Sequence, residues 1–374
     1  MLVVLIVTQL EPAGAQRAAA LVTAGLRERG YDADTWFLYS KSLGYAQLQP
    51  GPAILSHKAR GTGGVIRLSW LLVKRLRHRQ PGAVISFTQY ANTIGQSAAL
   101  LAGVPRRVAS QRGPVTYYTR LARWADFILG SCGVYTANVM VSQSTRDSFS
   151  GYPRCYLNRS LVVHNGLENA PSRMSQLQAR ERFDLPRESA LAISVGRLGR
   201  QKNHRVLLEV LRRLPSLELA IAGEGELRAE LELRARALGV AERLHLLGEI
   251  MPTEVGDFLA AGDVFLLPSY YEGMSNALLE AMAAGLPLVV SDVPAQREVC
   301  TLEDGALAAV FIAPDDVAGW AEAVAVVMQS PGQRSHLAEL ARRRVQDFGL
   351  AAMLDGFERS LGQRPMQGWP RVLR

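Results

Sequence analysis

The stretch Asp263–Glu298, DVFLLPSYYEGMSNALLEAMAAGLPLVVSDVPAQRE, decides the fold of this chain. It begins with an apolar run of strand length, and a second such run follows a helical pattern that ends at glycine and proline. We predict strands over Val264–Leu267 and Leu288–Val290 and a helix over Asn276–Ala284. Buried strands alternating with helices are typical of an α/β protein with a parallel sheet.

Two acidic residues of this stretch lie eight positions apart, Glu272 in the predicted loop and Glu280 in the predicted helix. Between them, the first backbone N–H groups of the helix have no partner within the helix and can bind an anion. A nucleotide sugar carries an anionic diphosphate between two polyols, and a carboxylate accepts hydrogen bonds from neighbouring hydroxyls. The spacing fits such a ligand, and it also fits an ordinary amphipathic helix whose glutamates are solvated.

Length and composition indicate two α/β domains. A chain of 374 residues exceeds a single core, and 48% of its residues are hydrophobic. The apolar run Leu2–Val7 is too short to span a membrane and lacks the flanks of a signal peptide, so we predict a first buried strand. The three cysteines, Cys132, Cys155 and Cys300, have no metal-like spacing, which indicates free, buried thiols in a reducing compartment.

Charge is distributed unevenly along the chain. Residues 1–167 contain 19 Lys+Arg and 6 Asp+Glu, a net charge of +13, whereas residues 168–374 contain 23 and 28, a net charge of −5. A basic first half predicts an anionic partner, such as nucleic acid, an anionic membrane surface or a phosphorylated lipid acceptor. The alternative is a solvated arginine-rich surface without a partner.

The first half repeats strand and helix patterns. We predict a strand over residues 2–8, a turn with Gly14 at its tip and a helix over Ala18–Arg29. Residues from Ser42 to Gly64 indicate a long loop. The basic amphipathic helix predicted over Val65–Arg79 fits either a membrane surface or an ordinary crossover helix. A further helix is predicted to run through Trp124.

A second candidate anion site follows the strand predicted over Ala190–Val195. Gly196 at its end lets a ligand approach the backbone, Arg197 can bind phosphate oxygens as a fork, and Lys202 adds a compact charge before a helix. Gly223 follows the next predicted strand in the same way. Because the chain has neither a P-loop nor a G-x-G-x-x-G helix start, P-loop ATPases and ordinary dehydrogenases are excluded.

These motifs together resemble a known family. VGRL, QKN, AGEGEL, LLGEI and the stretch that begins at Asp263 occur in an order and spacing similar to the retaining GT-B glycosyltransferases of the family-4 type. The resemblance covers nearly all of residues 190–300. It is weaker in the first half, where PAGAQR and VVHNGLE stand in place of the usual family motifs.

The resemblance implies a GT-B fold, with two Rossmann-like doubly wound domains facing a central cleft. We expect an acceptor-binding domain over residues 1–167 and a nucleotide-sugar-binding domain over residues 168–345. Residues 346–374 are then a helix, near Ala351–Leu361, that crosses back to the first domain, followed by a frayed tail from Met366.

The resemblance also implies roles for single residues. Arg197 and Lys202 neutralise the donor diphosphate and the leaving nucleotide, Glu272 contacts the transferred sugar, and Glu280 holds the ribose. We count Arg197, Lys202 and Glu272 as catalytic. The other residues expected to bind the nucleotide sugar, mainly through their backbone, are Gly14, Gly196, Gly223, Ile250 (beside the base), Gly273, Met274, Ser275 and Asn276.

The implied activity is retaining transfer of a hexose or N-acetylhexosamine, without metal or other cofactor. The expected donor is a nucleotide diphosphate sugar, in particular a UDP-sugar, and the expected acceptor is a glycan or lipid-linked saccharide of cell-surface polysaccharide or lipopolysaccharide biosynthesis. Same-face attack is favoured over double displacement, which would need Glu272 as nucleophile. The expected location is the cytoplasm or the inner face of the cytoplasmic membrane, with no nucleic-acid partner.

The first domain departs from the family pattern at one loop. Where many relatives have a histidine, this chain has Arg112 between Gln111 and Gly113, so a histidine-assisted mechanism is not expected. This loop and SFTQYAN resemble the subset that acts on bacterial surface-polysaccharide or lipid-linked acceptors. Asn92 and Arg112 are therefore interpreted as acceptor-side or donor-phosphate contacts.

Three alternatives remain open from the sequence. The first is a GDP-mannose-type donor, and the second is a sugar-nucleotide epimerase of the same fold, although no acid/base set for that reaction is visible. The third is a non-catalytic protein that binds a nucleotide sugar or a membrane.

Overall fold

The computed structural model describes residues 1–10, 14–40, 51–167 and 172–362. The chain divides into two compact units. Unit 1 comprises Met1–Gly166 together with the residues from Leu350 onward, and unit 2 comprises Leu167–Gly349. In the described residues, each unit is built on one parallel sheet flanked by helices.

The two sheets are described by their strand order. Unit 1 has the order β3-β2-β1-β4-β5-β6-β7, and unit 2 has the order β10-β9-β8-β11-β12-β13. Their strands are β1 Leu2–Leu10, β2 Asp32–Ser40, β3 Ala53–Leu55, β4 Ala83–Phe87, β5 Arg106–Gln111, β6 Ala137–Met140, β7 Ser160–Val162, β8 Ala190–Val195, β9 Leu217–Ala222, β10 Leu244–Gly248, β11 Val264–Leu267, β12 Leu288–Ser291 and β13 Val310–Ile312.

Helices connect the strands in both units. They are α1 Gly14–Glu28, α2 Gly61–Arg79, α3 Gln89–Leu101, α4 Arg120–Ser131, α5 Gln143–Ser148, α6 Arg154–Leu157, α7 Gln176–Arg182, α8 His204–Arg213, α9 Arg228–Ala237, α10 Val255–Ala260, α11 Asn276–Ala284, α12 Pro294–Cys300, α13 Val317–Gln329, α14 Pro331–Val345 and α15 Leu350–Ser360.

Alternation of side chains along β1 explains how unit 1 builds a core on both faces of its sheet. Val3 and Leu5 pack into the cluster that contains α1 and α15. Val4 and Ile6 point to the opposite face and pack into the cluster that contains α2 and α3. Because both faces are covered, this strand is a continuous apolar run.

The last described helix, α15, belongs to the core of unit 1. Phe357 lies fully buried with its ring 5.6 Å from that of Phe87. The helix approaches its neighbours closely, since a Cβ added to Gly356 would lie 2.5 Å from Cγ1 of Val163. Arg29 of the first unit's α1 region completes the contact by an ion pair to Asp355 at 2.7 Å.

The strand–helix–strand unit predicted from Asp263–Glu298 is confirmed in β11, α11 and β12. Both strands are fully buried apolar runs, as expected for parallel strands covered on both faces. Gly285 ends α11 with φ of +70°, the left-handed conformation that glycine adopts without strain.

Three local predictions for unit 1 were wrong. Gly14 is the first residue of α1 and not the tip of a turn. The predicted loop from Ser42 to Gly64 contains β3 and the start of α2, which sequence reasoning missed because β3 is three residues long and α2 begins with the poor helix formers GTGG. The thiols of Cys132 and Cys155 are exposed, whereas buried thiols were predicted. The helix predicted to run through Trp124 is α4, which continues to Ser131. Residues 42–50 and the tail from Met366 lie outside the described residues.

Candidate functional site

The carboxyl ends of β8, β9 and β10 meet at three glycines. The N–H of Gly223 donates to the carbonyl of Gly248 at 2.7 Å, and the N–H of Gly196 donates to Ala222 at 2.9 Å. A Cβ added to Gly223 would lie 2.1 Å from the carbonyl oxygen of Gly196, so no other residue fits there. The glycines therefore let the backbones at the ends of these strands approach one another closely, at the sheet edge where ligands of such folds bind.

Lys202 and Glu272 form an ion pair at this edge. Lys202 ends a short 3-10 turn after β8, and Glu272 lies in the loop after the adjacent strand β11. The Nζ atom of Lys202 donates to Oε1 of Glu272 at 2.7 Å, and both side chains are largely buried. The structure therefore brings together two residues that lie 70 positions apart in the chain.

Further hydrogen bonds fix the loop that carries Glu272. The hydroxyl of Ser269 donates to the same carboxylate oxygen, Oε1, at 2.7 Å. Gln201 donates its side-chain amide to the carbonyl of Tyr271 at 2.9 Å, and its own carbonyl accepts from the N–H of Tyr270 at 2.9 Å. The loops after β8 and β11 thus hold each other, and Glu272 is oriented before any ligand arrives.

The burial of the two glutamates excludes one of the two interpretations of their spacing, that of solvated side chains. Glu272 is 7% exposed and Glu280 is 9% exposed, so neither is a solvated residue on the outer face of a helix. Carboxylates are rarely this buried unless their position has a structural or functional reason. Ser275 caps α11, since its hydroxyl accepts from the N–H of Leu278 at 3.4 Å.

The remaining residues predicted in the loop and at the helix start follow Glu272 directly in the chain. Gly273, Met274 and Ser275 are buried, and Asn276 is the half-buried first residue of α11. Ile250 follows the end of β10 and is partly buried. All of these positions belong to unit 2, as the sequence analysis expected.

Arg197 differs from Lys202 in its environment. Its side chain is 61% exposed, and its contact to Glu226 is a loose ion pair of 3.8 Å. Exposed pairs of this kind contribute little to stability. The guanidinium can therefore exchange Glu226 for a stronger anion at small cost.

Sequence reasoning missed His204, the first residue of α8. It is buried beside Lys202, and this desolvation together with the lysine charge lowers the pKa of its imidazole to about 3. Its Nδ1 atom has no hydrogen-bond partner among the described residues, and its Nε2 atom lies 3.5 Å from the hydroxyl of Ser194. The imidazole is therefore neutral at physiological pH. His204 is visible in the sequence as the last residue of QKNH. It was missed because no known spacing pattern identifies a histidine two positions after this lysine as functional.

Glu224 and Arg228 were also missed. The guanidinium of Arg228 contacts the Glu224 carboxylate and donates to the carbonyl of Leu246 at 3.2 Å. A Cβ added to Gly248 would lie 3.0 Å from Oε1 of Glu224, so this charged pair lies against the end of β10. Ile250, the residue predicted beside the base, follows Gly248 by two positions in the chain.

The residues predicted in unit 1 have different environments. Asn92 is fully buried; it accepts from the Ser86 hydroxyl at 2.7 Å and donates to the Ser110 carbonyl at 3.1 Å and to Gln111 Oε1 at 3.0 Å. These bonds brace β4 against β5, and a direct contact with a ligand would require Asn92 to give them up. Gly14 is exposed at the start of α1.

Arg112 is held at the carboxyl end of β5. Its guanidinium lies over the ring of Phe87, 5.7 Å from the ring centre, and donates to the side-chain oxygen of Asn165. Burial lowers the pKa of Arg112 to about 10, so the side chain keeps its charge at neutral pH.

Two features are absent from the described ranges, a cluster of metal ligands and a membrane-spanning helix. Residues 1–10, 14–40, 51–167 and 172–362 contain no group of three or more His, Cys, Asp or Glu side chains that could hold a metal ion. In the same parts of the chain, none of the helices combines the length and the apolar character required to span a bilayer.

Comparison with known proteins identifies relatives. Residues 175–344, within unit 2, match the family model described as Glycosyl transferases group 1. The D-inositol 3-phosphate glycosyltransferase of Xylanimonas cellulosilytica is 30% identical over 257 residues, which cover 64% of this chain and 61% of that protein. The UDP-Gal:alpha-D-GlcNAc-diphosphoundecaprenol alpha-1,3-galactosyltransferase of Escherichia coli is 28% identical, with 59% of this chain and 60% of that protein covered. The chain thus spans about three fifths of the length of these two relatives.

A solved structure matches over a greater length. The structure of Anabaena Alr3699/HepE in complex with UDP-glucose superimposes with a TM-score of 0.83 and 17% identity, covering 96% of this chain and 99% of that chain. With two parallel-sheet α/β units, the fold is GT-B. Residues 175–344 are thus similar to the group 1 glycosyltransferases, in agreement with the resemblance of the motifs to the family-4 type of GT-B glycosyltransferase.

Proposed function

We propose that this protein is a retaining glycosyltransferase of cell-surface polysaccharide biosynthesis. It transfers a hexose or N-acetylhexosamine from a nucleotide diphosphate sugar, expected to be a UDP-sugar, to a glycan or lipid-linked saccharide. The observation that carries the proposal is the buried Lys202–Glu272 pair beside the start of α11, within a group 1 glycosyltransferase domain. The UDP-glucose ligand of HepE and the lipid-linked acceptor in the name of the Escherichia coli relative support the choice of donor and acceptor.

The donor fits the site by its charges. Its diphosphate binds Lys202, Arg197 and the N–H groups at the start of α11. Its sugar donates hydrogen bonds to Glu272, and its ribose donates hydrogen bonds to Glu280. Gly196 and Gly223 allow the diphosphate to approach the backbone, and the base lies beside Ile250. The domain roles predicted from the sequence, with the donor on unit 2 and the acceptor on unit 1, are retained in this proposal.

Donor binding exchanges the partners of an ion pair that already exists. In the ligand-free protein, Glu272 neutralises Lys202. A diphosphate brings a stronger anion to Lys202, and the carboxylate oxygen that is released accepts hydrogen bonds from sugar hydroxyls. Because Ser269 and Gln201 fix the same loop, the exchange needs little movement of the backbone.

The hydrogen bonds to Glu272 favour same-face transfer over double displacement. Its Oε1 accepts from both Lys202 and Ser269, and such bonds stabilise a carboxylate and weaken it as a nucleophile. In the proposed reaction the acceptor hydroxyl attacks the anomeric carbon from the side of the departing diphosphate, whose oxygen takes the proton. Arg197 and Lys202 stabilise the charge of the leaving group, so no metal ion is required.

On the acceptor side, Arg112 is the residue that we propose to contact the acceptor or the donor phosphate, because it keeps its charge at the end of β5. Asn92 contributes by bracing the strands beneath it. We further propose that the protein acts in the cytoplasm and binds the anionic inner face of the membrane, since residues 1–167 carry a net charge of +13.

The activity is tested with labelled nucleotide sugars, with and without a polyprenol-linked saccharide acceptor. Transfer of label to the acceptor, with the anomeric configuration kept, is the expected result. Isomerisation of the nucleotide sugar without acceptor indicates an epimerase, and binding without turnover indicates a non-catalytic protein. Preference for GDP-mannose over UDP-sugars would overturn the donor assignment alone.

The ribose role of Glu280 has a separate test by titration calorimetry with UDP. Glu280→Ala is expected to weaken UDP binding about tenfold, because it removes a charge-assisted hydrogen bond. The matched control is Glu242→Ala, an exposed acid of the same unit that precedes the start of β10. Equal UDP affinity of the wild type and Glu280→Ala would remove the ribose role and leave the transfer reaction untouched.

A further inference from the structure

Helix α4 exposes a row of large apolar side chains. Leu121, Trp124 and Ile128 are 82%, 64% and 53% exposed, and their i, i+3, i+7 spacing places them on one face of the helix. The opposite side packs inward through Asp126 and Gly130, which are buried. The row is therefore not a part of the core, and burying it requires something outside unit 1.

Exposed apolar side chains are also concentrated on the helices next to α4. Of fifteen large hydrophobic side chains exposed in the described residues, eight lie between Ile66 and Ile128, and the others are spread over the rest of these ranges. Besides the row on α4, they include Trp70 on α2 and Leu101 on α3. These helices are neighbours, since α3 packs against both α2 and α4. Concentrated exposed apolar surface marks an interaction site more often than scattered single residues do.

The charge of these helices is almost entirely positive. Residues 61–131 contain ten Lys+Arg and a single acidic residue, Asp126, which is fully buried. From outside this range, Asp34 pairs with Arg79 of α2 at 3.0 Å. Arg120 and Arg123 flank the apolar row on α4, and Lys74 lies over the ring of Trp70 at 5.4 Å from its centre.

We propose that α4, with the adjacent surface of α2 and α3, inserts into the interface of an anionic lipid membrane. A tryptophan and aliphatic side chains bordered by arginines are the composition of a helix that lies in the membrane plane. The apolar row enters the boundary between headgroups and acyl chains, and the cations contact anionic headgroups. A protein partner would need an acidic rim around an apolar groove, whereas an anionic bilayer supplies both features everywhere.

This surface gives the proposed membrane association a defined site. The inference rests on the membrane association stated in the proposed function. The chain from β5 to α4 connects Arg112 to Arg120 within eight residues. A membrane bound to α4 therefore lies near the strand end that we assign to the acceptor, and a lipid-linked saccharide reaches that end without leaving its bilayer.

The test is binding to vesicles of phosphatidylcholine with phosphatidylglycerol, and to vesicles of phosphatidylcholine alone. Wild-type protein is expected to sediment with the anionic vesicles and to shift the emission of Trp124, measured as the difference from Trp124→Phe, to shorter wavelength. The variant Leu121→Gln, Trp124→Gln, Ile128→Gln is expected to lose about tenfold or more in binding. Leu233→Gln in unit 2, whose side chain is 65% exposed, is the matched control and keeps wild-type binding.

Each outcome has a distinct meaning. Binding by the wild type that the triple variant retains assigns the membrane site to another surface and overturns this inference alone. No binding by the wild type overturns the membrane association itself, while glycosyl transfer to a soluble acceptor is measured separately. Self-association of the wild type without lipid, abolished in the triple variant, would identify the face as a contact between protein copies. Circular dichroism and thermal unfolding confirm that the exposed substitutions leave the fold intact.

Discussion

Among single residues, Lys202 and Glu272 both stabilise the folded protein through their ion pair and are proposed to bind the donor. Two largely buried charges stabilise the fold only as long as each has the other. Lys202→Ala should lower the free energy of unfolding by on the order of 3 kcal/mol, because it leaves a buried carboxylate with a hydroxyl partner but no cation. Glu272→Gln should cost less, since the amide oxygen still accepts from Lys202.

A double-mutant cycle in urea measures this coupling. The variant that carries both changes is expected to be more stable than Lys202→Ala alone, since the unpaired carboxylate is gone. Additive effects of the two substitutions would contradict the pairing. Arg197→Ala is the control at the same edge of the sheet, and its exposed side chain predicts a change in stability within about 0.5 kcal/mol.

The buried carboxylate Asp126 makes a prediction about pH. It accepts from the Gln111 amide and the Tyr156 hydroxyl, each at 2.9 Å, yet burial raises its pKa from 3.8 to about 6. The folded protein therefore binds this proton more tightly than the unfolded chain does. The contribution of Asp126 to the free energy of unfolding is largest at low pH and is lost as pH rises through about 6.

Asp126→Asn should raise the free energy of unfolding at pH 8 by up to about 3 kcal/mol, since two pKa units correspond to this energy. At pH 4 the gain should vanish, because the carboxyl group is then protonated in the folded protein. Chemical unfolding at the two pH values measures the difference. Asp147→Asn, which changes an exposed acid of the same unit, is the matched control for the substitution. A gain for Asp126→Asn that is equal at both pH values would contradict the prediction.

At the scale of elements, glycines determine how closely α15 packs. A Cβ at Gly356 would lie 2.5 Å from Cγ1 of the buried Val163, whereas a Cβ at Gly332 in α14 meets nothing within 4 Å. Alanine is favoured over glycine in a helix by about 1 kcal/mol. Gly332→Ala should therefore be neutral or stabilising, while Gly356→Ala should destabilise the protein by about 1–3 kcal/mol through overpacking.

Thermal unfolding of the two variants separates propensity from packing. Both substitutions replace a helical glycine by alanine. If their changes in unfolding temperature have opposite signs, the difference is due to the contact with Val163. Equal stabilisation by both alanines would show that α15 does not pack as closely as described.

The elements also show what could be predicted from the sequence. Val264–Leu267 and Leu288–Val290 were predictable because each is an apolar run next to a proline, and a helix pattern that ends at Gly285 lies between them. β3 was not, since this half-buried edge strand follows a stretch of Gly, Pro and polar residues that indicates a loop. For the site, motif spacing predicted which residues of unit 2 lie near the strand ends. It could not predict that Lys202 pairs with Glu272, because that contact depends on the conformations of two loops far apart in the chain.

At the scale of the whole molecule, unit 1 takes its last core helix from the far end of the described chain. Met353, Phe357 and Leu361 all belong to the apolar cluster around β1 and α1. A chain that ends after Gly349 should therefore lose the stability of unit 1, whose core is left open, and keep that of unit 2.

Differential scanning calorimetry with limited proteolysis measures this effect. The truncated chain should show early cleavage within residues 1–166, while residues 172–349 stay resistant. A synthetic peptide of residues 350–362, added in excess, should restore protection to unit 1. Unchanged protection of the truncated chain would contradict a core role for α15.

The late position of α15 has a consequence for synthesis. Domains usually fold as they leave the ribosome, with the N-terminal one first, at about 5–20 residues per second. Unit 1 cannot follow that order, because the helix that closes its core begins at Leu350, after all of unit 2. The delay is on the order of 10–40 s, during which the apolar groove for α15 is open. We expect a nascent chain halted at residue 349 to recruit holding chaperones to its first half, and to release them once residue 362 has emerged.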